Sequence, residues 1–82
     1  MFTGYKEIKS SNLSAVDYDP QGRALKVRFK GSGEYLYVGV PQEAFENFMA
    51  SESKGSFFHS NIKGVYEHEK IEKEKENEMS KG

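Results

Sequence analysis

After Tyr66 the chain almost stops supplying groups that can be buried. From residue 67 to residue 82 it holds six Glu (67, 69, 72, 74, 76, 78) and four Lys (70, 73, 75, 81), with Ile71 and Met79 as the only apolar side chains. Such a segment cannot remove enough surface from water to offset the entropy of ordering it. Glu69 with Lys73 and Glu72 with Lys75 have the spacing of helical ion pairs, worth ~0.2–0.5 kcal/mol each. Residues 67–82 are therefore expected to form a charged helical or disordered tail, and the core has to come from residues 1–66.

That leaves room for one domain. A body of about 66 residues lies where a single hydrophobic core rarely supplies more than ~3–5 kcal/mol. The chain has no Cys, which excludes a disulfide framework, a thiolate zinc site and a Cys nucleophile. Hydrophobic residues make up only 35 % of the chain but aromatics 13 %, so the apolar groups are few and large. Self-association or an unusually aromatic core is the expected additional stabiliser.

Charge narrows the partners. With 12 basic and 13 acidic residues the net charge is −1; the tail carries −2 of this, which leaves residues 1–66 at +1. Binding to duplex DNA through bulk positive charge is disfavoured, because counterion release needs many Lys and Arg contacts to phosphate. A local basic patch remains open. No run of about 18 apolar residues is present, and Met1-Phe2-Thr3-Gly4-Tyr5-Lys6-Glu7 lacks the apolar stretch of a signal peptide. A cytoplasmic protein with no membrane partner is the expectation.

Within the body, residues 13–18 read as a short strand whose apolar positions 13, 16 and 18 break strict alternation, which predicts a bulge. Asp19-Pro20-Gln21-Gly22 has turn composition. Leu25, Val27 and Phe29 then alternate with Lys26, Arg28 and Lys30 in a second strand. Gly31-Ser32-Gly33 signals a hairpin, and residues 34–40 form a third strand rich in β-formers. Val40-Pro41 ends it and opens a helix whose Ala44, Phe45, Phe48 and Met49 share one face. Ser56 is placed to cap a second short helix carrying Phe57, Phe58 and Ile62, with Gly64 ending it. The expected fold class is α+β: a three-stranded antiparallel meander followed by two short helices packed on one face.

The hairpin register decides which chemistry shares a face. Pairing Phe29 with Leu36 and Val27 with Val38 matches apolar with apolar and is the expected register. It leaves Lys26, Arg28 and Lys30 beside Tyr35 and Tyr37, a surface of cations and phenols suited to phosphates and bases. Shifting the pairing by one residue instead sends the tyrosines into the core and leaves Leu36 and Val38 outside with the cations, as at an edge or subunit interface. A second candidate is Ser53-Lys54-Gly55-Ser56, where free main-chain N–H groups, a Gly, a Lys and two hydroxyls make a phosphate seat. His59 and His68 lack the spacing and acidic partners of a metal site. Asp17 and Asp19 flank a turn, and no nucleophile–base pair is adjacent in sequence. The expected protein is therefore not an enzyme and needs no cofactor.

Ser10-Ser11-Asn12-Leu13, Tyr18-Asp19, the alternation at 25, 27 and 29, Tyr35-Leu36-Tyr37, Val40-Pro41, Ser53-Lys54-Gly55 with Phe57-Phe58, and Ile62 with Tyr66 together resemble the KTSC domain. That family is named for the C-terminal extension of some lysyl-tRNA synthetases and also occurs as stand-alone small bacterial and phage proteins. The resemblance covers about residues 8–66. His59 stands where the family usually has Asn, and Leu36 where a polar residue is usual. The resemblance implies a non-enzymatic binding module with residues 1–66 as the KTSC-like domain. It has two implied ligand classes: RNA, by association with the synthetase, or a small nucleotide. For a stand-alone chain it further suggests an oligomeric phage-type sponge that sequesters cyclic nucleotide or related signals of antiphage defence; a protein-interaction domain is a third class. The near-neutral charge suits a compact nucleotide better than a long polyanion. On this reading Tyr35 and Tyr37 border a base, Arg28 and Lys54 contact phosphate, Ser53 and Ser56 donate hydrogen bonds, and a second copy in a homo-oligomer completes the pocket.

Overall fold

The computed structural model describes residues 1–31 and 33–71. It contains β1 (Lys6–Glu7), β2 (Leu13–Asp19), β3 (Ala24–Phe29), β4 (Gly33–Val38), α1 (Gln42–Ala50), α2 (Lys54–Asn61) and β5 (His68–Ile71). The strands form one antiparallel sheet in chain order, β1-β2-β3-β4-β5. The fold is α+β, with the expected meander extended by a strand at each edge. Strand β5 takes four residues of the segment read from sequence as a helical or disordered tail; positions 72–82 lie outside the described residues.

The predicted bulge is present. Pairing of β2 with β3 shifts between Leu13, opposite Phe29, and Ala15, opposite Arg28. This extra residue lets Leu13, Val16 and Tyr18 all reach the core despite their uneven spacing.

The hairpin has the other register. Phe29 pairs with Gly33 across the turn, which sets Val27 opposite Tyr35 and Leu25 opposite Tyr37. The expected pairing of Phe29 with Leu36 and Val27 with Val38 does not form. The turn decides this: Gly31 and Gly33 adopt φ of +77° and +93°, conformations closed to most side chains, and the loop they permit sets the parity of every later pair. Tyr35 and Tyr37 thus share the inner face with Val27 and Leu25, whereas Leu36 and Val38 lie with Lys26 and Arg28 on the outer face.

Both helices cover the inner face. Phe48 of α1 is fully buried, with Ala44, Phe45 and Met49 packed beside it, as the stripe predicts. Phe58 and Ile62 contribute from α2 and its C-terminal end. Helix α2 starts earlier than Ser56, with Ser53 as its N-cap. The Ser53 carbonyl accepts from Phe57 N at 3.0 Å, so main chain rather than a side-chain hydroxyl sets the first turn. The core is aromatic: Phe58 makes edge contacts with Phe29 (5.4 Å) and Tyr37 (5.3 Å).

The outer face is crossed by the first five residues. Thr3 N and Gly4 N donate to the two carboxylate oxygens of Asp17 at 3.3 and 3.0 Å, satisfying a side chain that is only 5 % exposed. Lys26 Nζ lies 4.3 Å from the Phe2 ring centre, and the Arg28 guanidinium 4.1 Å from that of Tyr5. Tyr5 completes the arrangement by donating its hydroxyl to Glu34 at 3.0 Å. Burial, and then that bond to a carboxylate, push the Tyr5 phenol well above its usual pKa. Among the described residues no helix is long and apolar enough to cross a membrane.

Candidate functional site

The loop between α1 and α2 folds on itself through Ser51. Its Oγ accepts from Ser53 N at 3.2 Å and donates to Ser53 O at 3.1 Å, while Lys54 Nζ donates to Ser51 O at 3.1 Å. The N–H groups of Lys54, Gly55 and Ser56 belong to the first turn of α2 and have no acceptor within the helix. These three residues line one side of a cleft of about 390 Å³.

The opposite wall is the turn at residues 10–12. Ser10 Oγ accepts from Asn12 N and Leu13 N, both at 3.2 Å, and Asn12 O accepts from Lys30 N at 2.8 Å. Gly55 lets the two walls meet, because a Cβ there would come 3.2 Å from Ser10 Oγ. Lys9 and Lys54 flank the cleft, His59 reaches it from the next turn of α2, and among the described residues Glu52 is the one acid on its wall. Main-chain donors, hydroxyls and two ammonium groups against one carboxylate make this an anion-accepting surface.

A second hollow of about 210 Å³ adjoins it. The two share Ser11, Asn12, Gly55 and His59. Lys30, beyond β3, and Lys63, beyond α2, flank the second one, over a floor of Leu13, Phe29 and Phe58.

The sequence-predicted site residues divide into two groups. Ser53, Lys54 and Ser56 come together in the cleft. Arg28 does not join them: it lies on the outer face, with Nε 3.2 Å from Glu34 Oε2. Nor do the two β4 tyrosines. Tyr37 is 3 % exposed beneath Phe58, stacked on its other neighbour His68 at 5.1 Å, and Tyr35 packs edge-on to Phe29 at 5.5 Å. Burial raises the Tyr37 phenol pKa. The surface of cations and phenols expected on one side of the hairpin is therefore split between two faces, as the register requires. Sequence reading missed the contributions of Lys9, Ser10, Ser11, Asn12 and His59. The polar triplet Ser10-Ser11-Asn12 was the available signal, but only folding brings it against α2.

Comparison with known proteins fits this architecture. The KTSC domain profile matches residues 9–66. The solved structure of a KTSC domain protein from Yersinia pestis is similar with a TM-score of 0.82 and 40 % identity, covering 84 % of this chain and 97 % of that one. A protein from Tsukamurella paurometabola is 41 % identical over 56 residues, 68 % of this chain and 84 % of the relative. A lysine–tRNA ligase from Nostoc is 32 % identical over 63 residues, 77 % of this chain but only 11 % of the ligase. The profile match spans the bulged β2, the β3–β4 hairpin and the α2 cleft, and the chain belongs to the KTSC domain family.

Proposed function

We propose that this chain is a non-enzymatic binding module that holds a phosphate-bearing nucleotide in the cleft at the start of α2. The observation that carries this reading is the meeting of the first turn of α2 and Lys54 with Lys9, Ser10, Ser11, Ser53 and Ser56 around one hollow. Its volume, about 390 Å³, falls within the ~300–1,000 Å³ of small-molecule sites. Phosphate takes the N–H groups and Lys54, and His59 offers a flat ring beside them. Because the cleft is open on one side, a second copy of the chain would enclose the ligand further. A module that binds without turnover can act by sequestration, and a sponge for cyclic nucleotide or related signals of antiphage defence is the finer form of this reading.

A second reading, binding of RNA, is favoured by the similarity to part of a lysine–tRNA ligase. The two separate by salt and length. The protein is titrated with AMP, cyclic dinucleotides, cyclic ADP-ribose-type signals and short RNA while its melting temperature is followed, since a ligand bound only to the folded state raises it. Stabilisation by a small nucleotide, lost in Lys54→Ala, is the expected result. Affinity that appears only with RNA and falls steeply with salt selects the second reading, and no shift with any of these overturns both.

A further inference from the structure

The second hollow is too small to be a separate site. At about 210 Å³ it lies below the ~300 Å³ at which small-molecule sites begin, yet it shares Ser11, Asn12, Gly55 and His59 with the first. It is better described as the continuation of one groove around the first turn of α2. The charge along that groove is uneven. Lys30 and Lys63 converge on the far hollow from two different elements, both exposed, and neither forms an ion pair among the described residues. Two exposed lysines on the lining of one small depression favour an anion there. On the nucleotide reading above, the near hollow takes one phosphate beside Lys54.

We propose that the groove takes a ligand with two phosphates joined through a sugar, that is, a phosphodiester-linked dinucleotide or the equivalent stretch of a longer strand. One phosphate sits at Lys54 and the α2 N–H groups, and the next lies between Lys30 and Lys63. The half-buried Phe29 ring in the far floor offers apolar surface to the intervening sugar or base. This inference rests on the nucleotide reading above and adds the length and valency of the ligand.

The test compares AMP with the linear dinucleotide pApA by calorimetry, in the wild-type protein and in a Lys30→Ala/Lys63→Ala variant, with Lys30→Arg/Lys63→Arg as a charge-preserving control. The wild type is expected to bind pApA about tenfold more tightly than AMP, as one further charge-assisted contact would give. The Ala variant loses that advantage with AMP affinity unchanged, the Arg variant keeps it, and the salt dependence for pApA becomes shallower only in the Ala variant. Equal affinity of the wild type for AMP and pApA, or equal weakening of both ligands in the Ala variant, overturns the inference and leaves the nucleotide reading standing. Failure of both ligands to bind wild-type protein overturns the two together.

Discussion

The Tyr18 hydroxyl donates to the Val40 carbonyl at 2.5 Å, joining β2 to the junction where β4 hands over to α1. Val40 N is held as well, by Arg23 O at 2.8 Å, and the Tyr18 ring stacks on Phe45 of α1 at 4.4 Å and 7°. One side chain thus fixes where the first helix begins and how it lies on the sheet. Tyr18→Phe keeps the stacked ring but leaves a buried carbonyl without its donor. It is expected to lower the free energy of unfolding by about 1–2 kcal/mol with an unchanged denaturant slope, read in urea.

Gly55→Ala should separate binding from stability. Alanine favours the helix by up to ~1 kcal/mol over glycine, but its Cβ would press on Ser10 Oγ at 3.2 Å. The Ser10 hydroxyl then has to give by a few tenths of an ångström, which loosens its bonds to Asn12 N and Leu13 N. The two effects oppose one another in stability, so the unfolding midpoint should move little. AMP affinity should fall, because the wall opposite α2 is displaced. An unchanged affinity would mean that the Ser10 turn plays no part in holding the ligand.

Arg28→Ala and Tyr37→Ala are expected to have opposite profiles to Lys54→Ala. Removing the buried Tyr37 ring leaves a cavity beneath Phe58 and should cost about 3–5 kcal/mol of stability. Arg28 makes a partly exposed ion pair with Glu34 and covers Tyr5, so its loss should cost about 1 kcal/mol or less. The affinity of folded protein for AMP should be unchanged by Arg28→Ala and lowered by Lys54→Ala, as titrations of the two variants would measure.

Alkaline pH should destabilise the fold. Burial raises the phenol pKa values of Tyr5, Tyr18 and Tyr37 from the ordinary 10.0. The folded state therefore holds these protons more tightly than the unfolded chain does. Their contribution is fully present below pH 10 and is lost as pH rises through the folded-state values. Phenolate absorbance followed alongside unfolding should show ionisation of Tyr5, Tyr18 and Tyr37 accompanying loss of structure. Ionisation of these three phenols without unfolding would contradict the burial described here.

Much of the scaffold is legible in the residue pattern, and the reasons are local. Alternation at 25, 27 and 29 marks β3, the uneven spacing of 13, 16 and 18 marks the bulge, and the stripe at 44, 45, 48 and 49 marks the inward face of α1. The hairpin register is not legible from side chains, because tyrosine is amphipathic. Either pairing gives Val27 and Leu25 an acceptable neighbour, and the conformation of two glycines in the turn breaks the tie. The start of α2 misleads for a related reason: Ser56 looks like a cap, yet the cap is the main chain of Ser53. Half of the candidate site, Ser53, Lys54 and Ser56, is contiguous and visible; the other half lies some forty residues upstream.

The bulge in β2 has a consequence for anyone cutting or grafting this domain. An insertion or deletion of a single residue near Ser14 would reverse the parity of everything before it, turning Leu13 outward and carrying the Ser10 turn away from Gly55. The sheet downstream would still pair correctly, but exposing the buried Leu13 would cost stability, so such a mutant loses part of its core together with the cleft. Length in that short stretch is thus a setting of both the core and the binding surface, and a melting curve alone would not separate the two losses.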